Sequence, residues 1–564
     1  MDASGVGRLI IVTGTSGTGI EESLHRWCAS RATSFVRLED HLLEVARERL
    51  GPEVTLNQVF AQPEGILRNM WLDAGRRSIL AVRTALFDGD VIFRLNACWY
   101  HGSSGGFIFG VHIPTLSELP RPHVVITLID DIYDTLIRLE RRGKIFEHKS
   151  QFETLTGNLM KLLAWREIEV RASQQVAMSF GSVRYVILSV KHPVDTFSSL
   201  LDSSAEDCIY LSHPISALRR DELSVTRESP FLQFIQGASA RLRDGGRFTI
   251  FEPTTIDELR LLPETITGQS DEILLAERWP APCDLNGEEV ALLADPLSAE
   301  EQLRAEQPFK DHSEAPESIK VLTSEIRNQI RWRDRLMVEQ SSRLLVVRPF
   351  ADTQGKMSGG VLIEIGYHTD LKNYFDDVRT VRRDEYPTNI AVFARYAPIV
   401  YHPEIDERKR RIGGIIYVLE SAAAEQIILN WPTGTAHSTF IVGLTRRLRQ
   451  IELTSWLDLS DFEVTNVLES CFPTNVSEHP ARIIGQQGMS TLWSGMAAAR
   501  DTVYQELGGM IKSAIRGKWD KDLDHSMILL ESCELITEEF SKGEDLASAM
   551  LRHIERQSSN SHSS

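Results

Sequence analysis

The segment of this chain best suited to chemistry is Ser358-Gly-Gly-Val-Leu-Ile-Glu-Ile-Gly-Tyr367, a glycine turn that leads into a helix and carries a carboxylate six residues after a serine. Ser358 and the N–H groups of Gly359 and Gly360 fall at a helix N-terminus, where unpaired donors and the helix dipole suit a phosphate. Glu364 follows within the first turns. Alone, such a glutamate is ordinarily a helix-dipole partner or a solvated side chain. Two further segments give it company. Cys208-Ile-Tyr-Leu-Ser-His-Pro-Ile-Ser216 reads as a short buried strand opening into a polar loop. Trp332-Arg-Asp-Arg-Leu-Met-Val-Glu-Gln-Ser-Ser-Arg-Leu-Leu-Val-Val347 reads as a helix with Asp334 near its start, then a buried strand. Open α/β sheets bind ligands beyond the carboxyl ends of their strands, where Ser212, His213 and the Phe251-Glu252-Pro253 turn would fall.

In this order the three segments resemble the nucleoside 2-deoxyribosyltransferases and their relatives, the deoxynucleoside-monophosphate N-glycosidases. Ile209-Tyr-Leu-Ser-His-Pro follows the family's opening strand except that His213 stands where the family has glycine. The pattern from Asp334 matches approximately, and Ser358 to Tyr367 matches the family's closing motif at every fixed position. Arg348-Pro349 departs from it, because an acidic residue often follows that strand in the family.

The resemblance implies a flavodoxin- or Rossmann-like domain and assigns roles. Cleaving an N-glycosidic bond develops oxocarbenium character at C1′, which a nearby carboxylate stabilises or attacks. Glu364 would be that nucleophile, Tyr210 would orient it by a hydrogen bond, and Asp334 would protonate or position the departing base. Ser358, Gly359, Gly360, Ser212, His213 and Glu252 would contact the substrate. The serine marks family members that act on nucleotides, so a nucleoside monophosphate is expected ahead of a free nucleoside, by hydrolysis or by deoxyribosyl transfer. The same carboxylate chemistry would serve an NAD glycohydrolase. A reading of another class is a non-catalytic nucleotide sensor or assembly subunit.

A second glycine loop lies near the N-terminus. Ile10-Ile-Val-Thr-Gly-Thr-Ser-Gly-Thr-Gly-Ile-Glu-Glu-Ser23 runs from strand through glycine turn to helix, the context of a phosphate-binding P-loop. Gly14, Gly17 and Gly19 supply the turn. Ile20 stands in place of the phosphate-binding lysine, however, and Glu21 in place of the magnesium-binding hydroxyl. The surrounding order resembles a P-loop nucleotide kinase, with Asp130-Asp131 after a buried strand and Arg138, Arg141, Arg142 and Lys144 where such kinases place lid arginines. With its signature broken, the loop reads as a scaffold, a sensor or an oligomerisation surface ahead of a phosphotransferase.

These segments imply an α/β multidomain chain. Residues 1–203 form a degenerate P-loop-kinase-like domain built on a parallel sheet. Residues 204–430 form a deoxyribosyltransferase-like domain, with an acidic, Pro-containing insertion or mobile excursion over about 258–318. Residues 431–564 form a mainly helical C-terminal region. Strand candidates are Leu9–Val12, Phe35–Leu38, Val91–Leu95, Val124–Leu128 and Tyr185–Val190, then Cys208–Ser212, Phe248–Phe251, Leu344–Val347, Ile390–Ala394 and Gly414–Leu419. Strands alternating with helical patterns argue for parallel pairing. Phe152–Ala177, Thr502–Ile515 and Ser526–Phe540 read as helices, His101-Gly-Ser-Ser-Gly-Gly106 as a flexible turn, and Gln557–Ser564 as a disordered tail.

Composition narrows the partners. At 564 residues with 42% hydrophobic and 25% charged residues the chain is globular in character, and its net charge of −18 argues against nucleic acid. Arg408–Arg411 and Arg446/Arg447/Arg449 read as solvated faces. No apolar run has the length of roughly 20 residues a membrane-spanning helix needs, and the N-terminus lacks a signal-peptide pattern, which points to a cytoplasmic protein. Six scattered cysteines without a CxxC pair suggest neither a zinc site nor disulfides. No metal and no cofactor is expected. The partners expected are a nucleotide or nucleoside substrate and a second copy of the chain or a regulatory protein. A nucleotide-cleaving domain joined to a kinase-like one is a layout similar to bacterial antiviral effectors, by analogy alone.

Overall fold

The computed structural model describes residues 7–101, 105–142 except 111, 154–202 except 182, 208–213, 215, 230–261 except 245, 275–310, 314–348, 360–368 except 362, 389–394, 443–471 except 445, 449 and 452, 496–516, 534–537 and 543–561. The chain divides into two units, Met1–Tyr210 with Arg219–Ser341, and Leu211–Leu218 with Ser342–Ser564.

The strands of the first unit are β1 (Leu9–Gly14), β2 (Ser34–Arg37), β3 (Val91–Arg94), β4 (Cys98–His101), β5 (Gly106–Phe109), β6 (Val124–Ile129), β7 (Arg184–Ser189), β8 (Cys208–Ser212) and β9 (Thr249–Phe251). The last two residues of β8 belong to the second unit. Its helices are α1 (Glu21–Ser30), α2 (Leu38–Leu50), α3 (Leu56–Phe60), α4 (Glu64–Ala85), α5 (Ile113–Leu116), α6 (Ile132–Arg141), α7 (Leu155–Ser179), α8 (Val194–Asp202), α9 (Pro230–Arg243), α10 (Ala299–Glu306) and α11 (Pro316–Glu339).

Five strands form a parallel sheet in the order β2-β3-β1-β6-β7. β1, β3 and β6 are wholly buried, and their sequences LIIVTG, VIFR and VVITLI are the unbroken apolar runs that strands covered on both faces require. Parallel neighbours need crossovers, and the helices between them supply the apolar faces. Leu42 and Val45 of α2, Leu67 and Met70 of α4, Leu159 and Leu163 of α7, and Leu322 and Ile326 of α11 belong to one buried cluster with the sheet. β4 pairs antiparallel with β5, which the sequence pattern does not predict; residues 102–104 of the expected flexible turn lie outside the described residues. β8 and β9 pair in parallel, Cys208 opposite Thr249 and Tyr210 opposite Phe251.

The acidic stretch takes a more defined form than the expected excursion. Its described part lies in the first unit, and three of its carboxylates cap helices there. Asp295 Oδ1 accepts from the Ser23 N–H at 2.8 Å, at the start of α1. Glu258 Oε1 accepts from the Ile132 N–H at 2.8 Å, at the start of α6. Glu314 Oε1 accepts from the Leu155 N–H at 2.7 Å, and its Oε2 from Thr156 Oγ1 at 2.7 Å, at the start of α7. Each carboxylate satisfies orphan donors and lies at the positive end of a helix dipole. Glu314 is the most accessible of the three contacts. Glu314→Ala is expected to cost about 1 kcal/mol of first-unit stability, measured as a lowered denaturation midpoint. An unchanged midpoint would mean that Thr154, which accepts from Gly157, caps α7 unaided.

In the second unit β10 (Arg343–Arg348), β11 (Asn389–Ala394) and β12 (Glu534–Thr537) pair in parallel, Leu344 opposite Ile390 and Val392 opposite Leu535. Among the described residues, α12 (Asp461–Glu469), α13 (Met496–Ile515) and α14 (Gly543–Ser561) accompany them. Leu444, Leu448, Trp456, Val464, Leu468, Tyr504 and Ile511 form a buried cluster, which makes Trp456 a core residue. Arg446 and Arg447 are exposed.

Two expectations for this region are corrected. Ser526–Phe540 is not a helix through its length, because Glu534–Thr537 is a strand on β11. Gln557–Ser561, expected within a disordered tail, is the last part of α14. Leu546, Met550 and Ile554, four residues apart on one face, are buried and give that helix its packing surface. Gly414–Leu419, Arg408–Arg411, Trp493 and Trp519 lie outside the described residues. No described helix is long and apolar enough to cross a membrane.

Candidate functional site

Glu364 sits where the glycine-turn motif places it. Residues 360, 361 and 363–368 are helical, and Glu364 is partly buried. Its partner comes from a motif 152 positions away in sequence, since Ser212 Oγ donates to Glu364 Oε2 at 2.5 Å. Both residues belong to the second unit. Ser212 is fully buried at the carboxyl end of β8. A short hydrogen bond from a fixed strand-end hydroxyl holds the carboxylate in one orientation. Ser212 was expected to contact the substrate; the structure shows its hydroxyl on the Glu364 carboxylate.

Next to it, His213 is buried, and burial pushes its imidazole down to about 4 against a backbone hydrogen bond at Leu211. It is therefore neutral at neutral pH and adds no charge beside Ser212. His368 was not anticipated. It is fully buried four residues after Glu364, on the same helical face. A histidine four positions from the glutamate was the available signal. Ser358 and Gly359 lie outside the described residues, and Gly360 is exposed in the first helical turn.

The other expected residues gather in the first unit. Tyr210 is fully buried. Arg333, which the sequence reading passed over, organises its surroundings from α11. Its Nη1 donates to Ile256 O at 3.1 Å and its Nη2 to Pro253 O at 3.2 Å, fastening the turn that follows β9. Its Nε and Nη2 also donate to Asp334 Oδ1, at 3.0 and 2.8 Å. Burial raises the Asp334 carboxyl above its usual range even so, with Arg333 opposing. A carboxyl held in this way is closer to a proton donor than an exposed aspartate is.

Glu252 closes this group. It is buried, its side chain accepts from Ser239 Oγ, and its N–H donates to His192 Nε2 at 3.2 Å. The other ring nitrogen, Nδ1, faces Ser189 O at 3.1 Å. A carbonyl only accepts, so Nδ1 carries the proton and His192 is a neutral tautomer locked between two backbone groups. Burial pushes its pKa down to about 3.

The N-terminal glycine loop is folded as a turn, with Gly17 at φ 92° and Gly19 at φ 62°. Their need for glycine comes from the protein itself. A Cβ on Gly17 would lie 2.9 Å from the Leu139 side chain, and one on Gly19 would lie 2.4 Å from Arg138 Nε. Several backbone donors of the loop and of the start of α1 are engaged by carboxylates. The Gly14 N–H donates to Glu169 at 2.9 Å, and the Glu22 and Ser23 N–H groups donate to Asp295. Glu21 accepts from the Ile20 N–H and from Arg142, both at 3.1 Å. Against a burial penalty, Arg142 and Arg94 hold its carboxyl down to about 2.

Beyond β6, Asp130 pairs with Arg138, and Asp134 with Lys191 at 2.8 Å and Arg278 at 2.5 Å. Of the residues expected of a kinase-like site, Asp130 and Arg138 pair with each other, Arg141 pairs with Glu301 and Arg142 with Glu21, and Lys144 lies outside the described residues.

Among the described residues no group of His, Cys, Asp and Glu could hold a metal ion, and the five described cysteines are free thiols. No protein-family model matches the chain, and no curated protein is similar to it in sequence.

Proposed function

We propose that this chain cleaves the N-glycosidic bond of a nucleoside monophosphate, by hydrolysis or deoxyribosyl transfer, with Glu364 as nucleophile. The observation that carries the reading is the Ser212–Glu364 hydrogen bond. It joins the strand motif to the glycine-turn motif, the two segments whose sequences most resemble the deoxyribosyltransferases and N-glycosidases. On this reading the second block is a deoxyribosyltransferase-type domain, and the first a P-loop-kinase-like domain that has lost its phosphate chemistry. The carboxylates on the glycine loop favour that loss.

The reaction balances without a cofactor. A Glu364 oxygen attacks C1′, the C1′–N bond breaks, and its electron pair leaves on the base nitrogen, which takes up a proton. Water, or the nitrogen of an acceptor base, then attacks C1′ of the glycosyl ester and returns Glu364 to a carboxylate.

The test is to incubate the full-length chain with nucleoside monophosphates, free nucleosides and NAD, and to identify the released bases by chromatography. Release of a nucleobase from a monophosphate is expected. Nicotinamide release alone would turn the reading to NAD glycohydrolysis. Binding of a nucleotide with no product from any substrate would turn it to a sensor.

A positioning role for Ser212 predicts a split in the kinetic constants. Ser212→Ala is expected to lower kcat about 10- to 100-fold with KM little changed, because a small misplacement of the attacking atom is costly. Ser212→Thr, which keeps the hydroxyl, should recover part of the loss. A rise in KM at constant kcat would instead make Ser212 a substrate contact.

A further inference from the structure

We propose that Asp295 is a built-in occupant of the anion cradle of the N-terminal glycine loop, a carboxylate of the chain itself in the place of a phosphate. Three donors at the start of α1 converge on it. The Ser23 N–H and Ser23 Oγ both donate to Oδ1 at 2.8 Å, and the Glu22 N–H donates to Oδ2 at 3.3 Å. Two of the three, the Glu22 and Ser23 N–H groups, are backbone donors of the kind that a strand–glycine-turn–helix unit offers to an anion.

The occupant is clamped on both sides. The Asp295 N–H donates to Gly19 O, within the loop. Arg138 Nη2 donates to Asp295 O at 3.1 Å. The preceding residues are tied down as well, the Leu293 N–H to His192 O at 3.2 Å and the Ala294 N–H to Val190 O at 2.8 Å. Asp295 is thus delivered to the loop by a segment bonded to the residues following β7.

A second observation marks the place as an anion site beyond its helix terminus. Arg138 is 2% exposed, yet its Nε has no hydrogen-bond partner. That nitrogen is the atom nearest to where a Gly19 side chain would start, 2.4 Å away. The loop therefore faces a buried guanidinium that is paired with Asp130 through Nη1 and keeps one donor, Nε, unused.

Because the fold itself holds Asp295 at the cradle, through the backbone bonds of Leu293, Ala294 and Asp295, it needs no association step to occupy the site. A free phosphate must displace it. Removing its carboxylate exposes the same donors to solvent anions.

The experiment is thermal melting of the full-length chain in millimolar pyrophosphate and in sodium chloride of equal ionic strength. The native chain should melt at the same temperature in both. Asp295→Ala should melt several degrees lower in chloride and regain most of that loss in pyrophosphate. Asp295→Asn keeps the side-chain volume and one acceptor, so it serves where the alanine variant does not fold. It too should gain from pyrophosphate where the native chain does not. Equal stabilisation of native and variant chains would overturn the proposal, because the cradle would then be open. So would a variant that is not stabilised by pyrophosphate, because the donors would not then form an anion site.

Discussion

Glu364→Gln is expected to lower base release from a nucleoside monophosphate by about a thousandfold or more, with little change in KM or in melting temperature. The amide has nearly the same volume, and its oxygen can still accept the hydroxyl of Ser212. It lacks the charge that stabilises an oxocarbenium-like transition state, and an amide is a poor nucleophile at C1′. A thousandfold loss is about 4 kcal/mol of transition-state stabilisation, more than the loss of a positioning bond should cost. Glu364→Gln should therefore be far more damaging than Ser212→Ala. Single-turnover base release measures the difference. Intact-protein mass after rapid acid quenching should show a sugar adduct on the native chain and none on the variant. Undiminished release by Glu364→Gln would remove Glu364 from the chemistry and send the search to another carboxylate.

The parts of this fold that were legible in sequence are those set by local pattern. β1, β3 and β6 are unbroken apolar runs, and such runs bounded by turns can only be central strands or buried helix segments. Their alternation with helical patterns decides between the two. Glu534–Thr537 went the other way, because a four-residue strand inside a stretch with helical spacing is fixed by its partner β11 and not by its own pattern. The end of α14 was hidden by its composition. A polar, Ser-rich run reads as a tail, but it continues a helix whose buried stripe of Leu546, Met550 and Ile554 lies just before it.

The site was legible to a similar degree. Glu364 and Ser212 were both singled out by motif, but which hydroxyl would meet the carboxylate depends on a pairing across 152 positions that no local pattern contains. Arg333 was invisible for a related reason. One basic residue on a helix is ordinarily solvated, and only the positions of Pro253, Ile256 and Asp334 make it a clamp. The acidic stretch is the clearest case. A solvated glutamate and a glutamate that caps a buried helix are the same letter, so composition suggested a mobile insertion where Glu258, Asp295 and Glu314 are structural ligands.

That structural role leads to the largest stability effect expected in the first unit. Glu258 is fully buried, and Arg166 on α7 is nearly so. Arg166 Nη1 and Nη2 donate to the two carboxylate oxygens at 2.5 and 2.9 Å, and Nη1 also donates to Asp130 O at 3.0 Å. Gln329 Oε1 accepts from the same guanidinium at 3.2 Å, which ties α11 to α7. Arg166→Met keeps most of the volume but leaves the Glu258 charge in the interior with only the Ile132 N–H among these donors. Breaking a buried pair from one side typically costs about 3–5 kcal/mol, whereas replacing both partners by apolar groups costs much less. Arg166→Met and Glu258→Met are each expected to lose stability in that range, and the double variant to lose less than either single. Urea unfolding followed by hydrogen exchange of the α7 amides, Trp165 to Val176, reads the first unit directly. Additive losses in the double variant would mean that the two side chains stabilise the unit independently, Glu258 as the cap of α6 and Arg166 as a brace between helices.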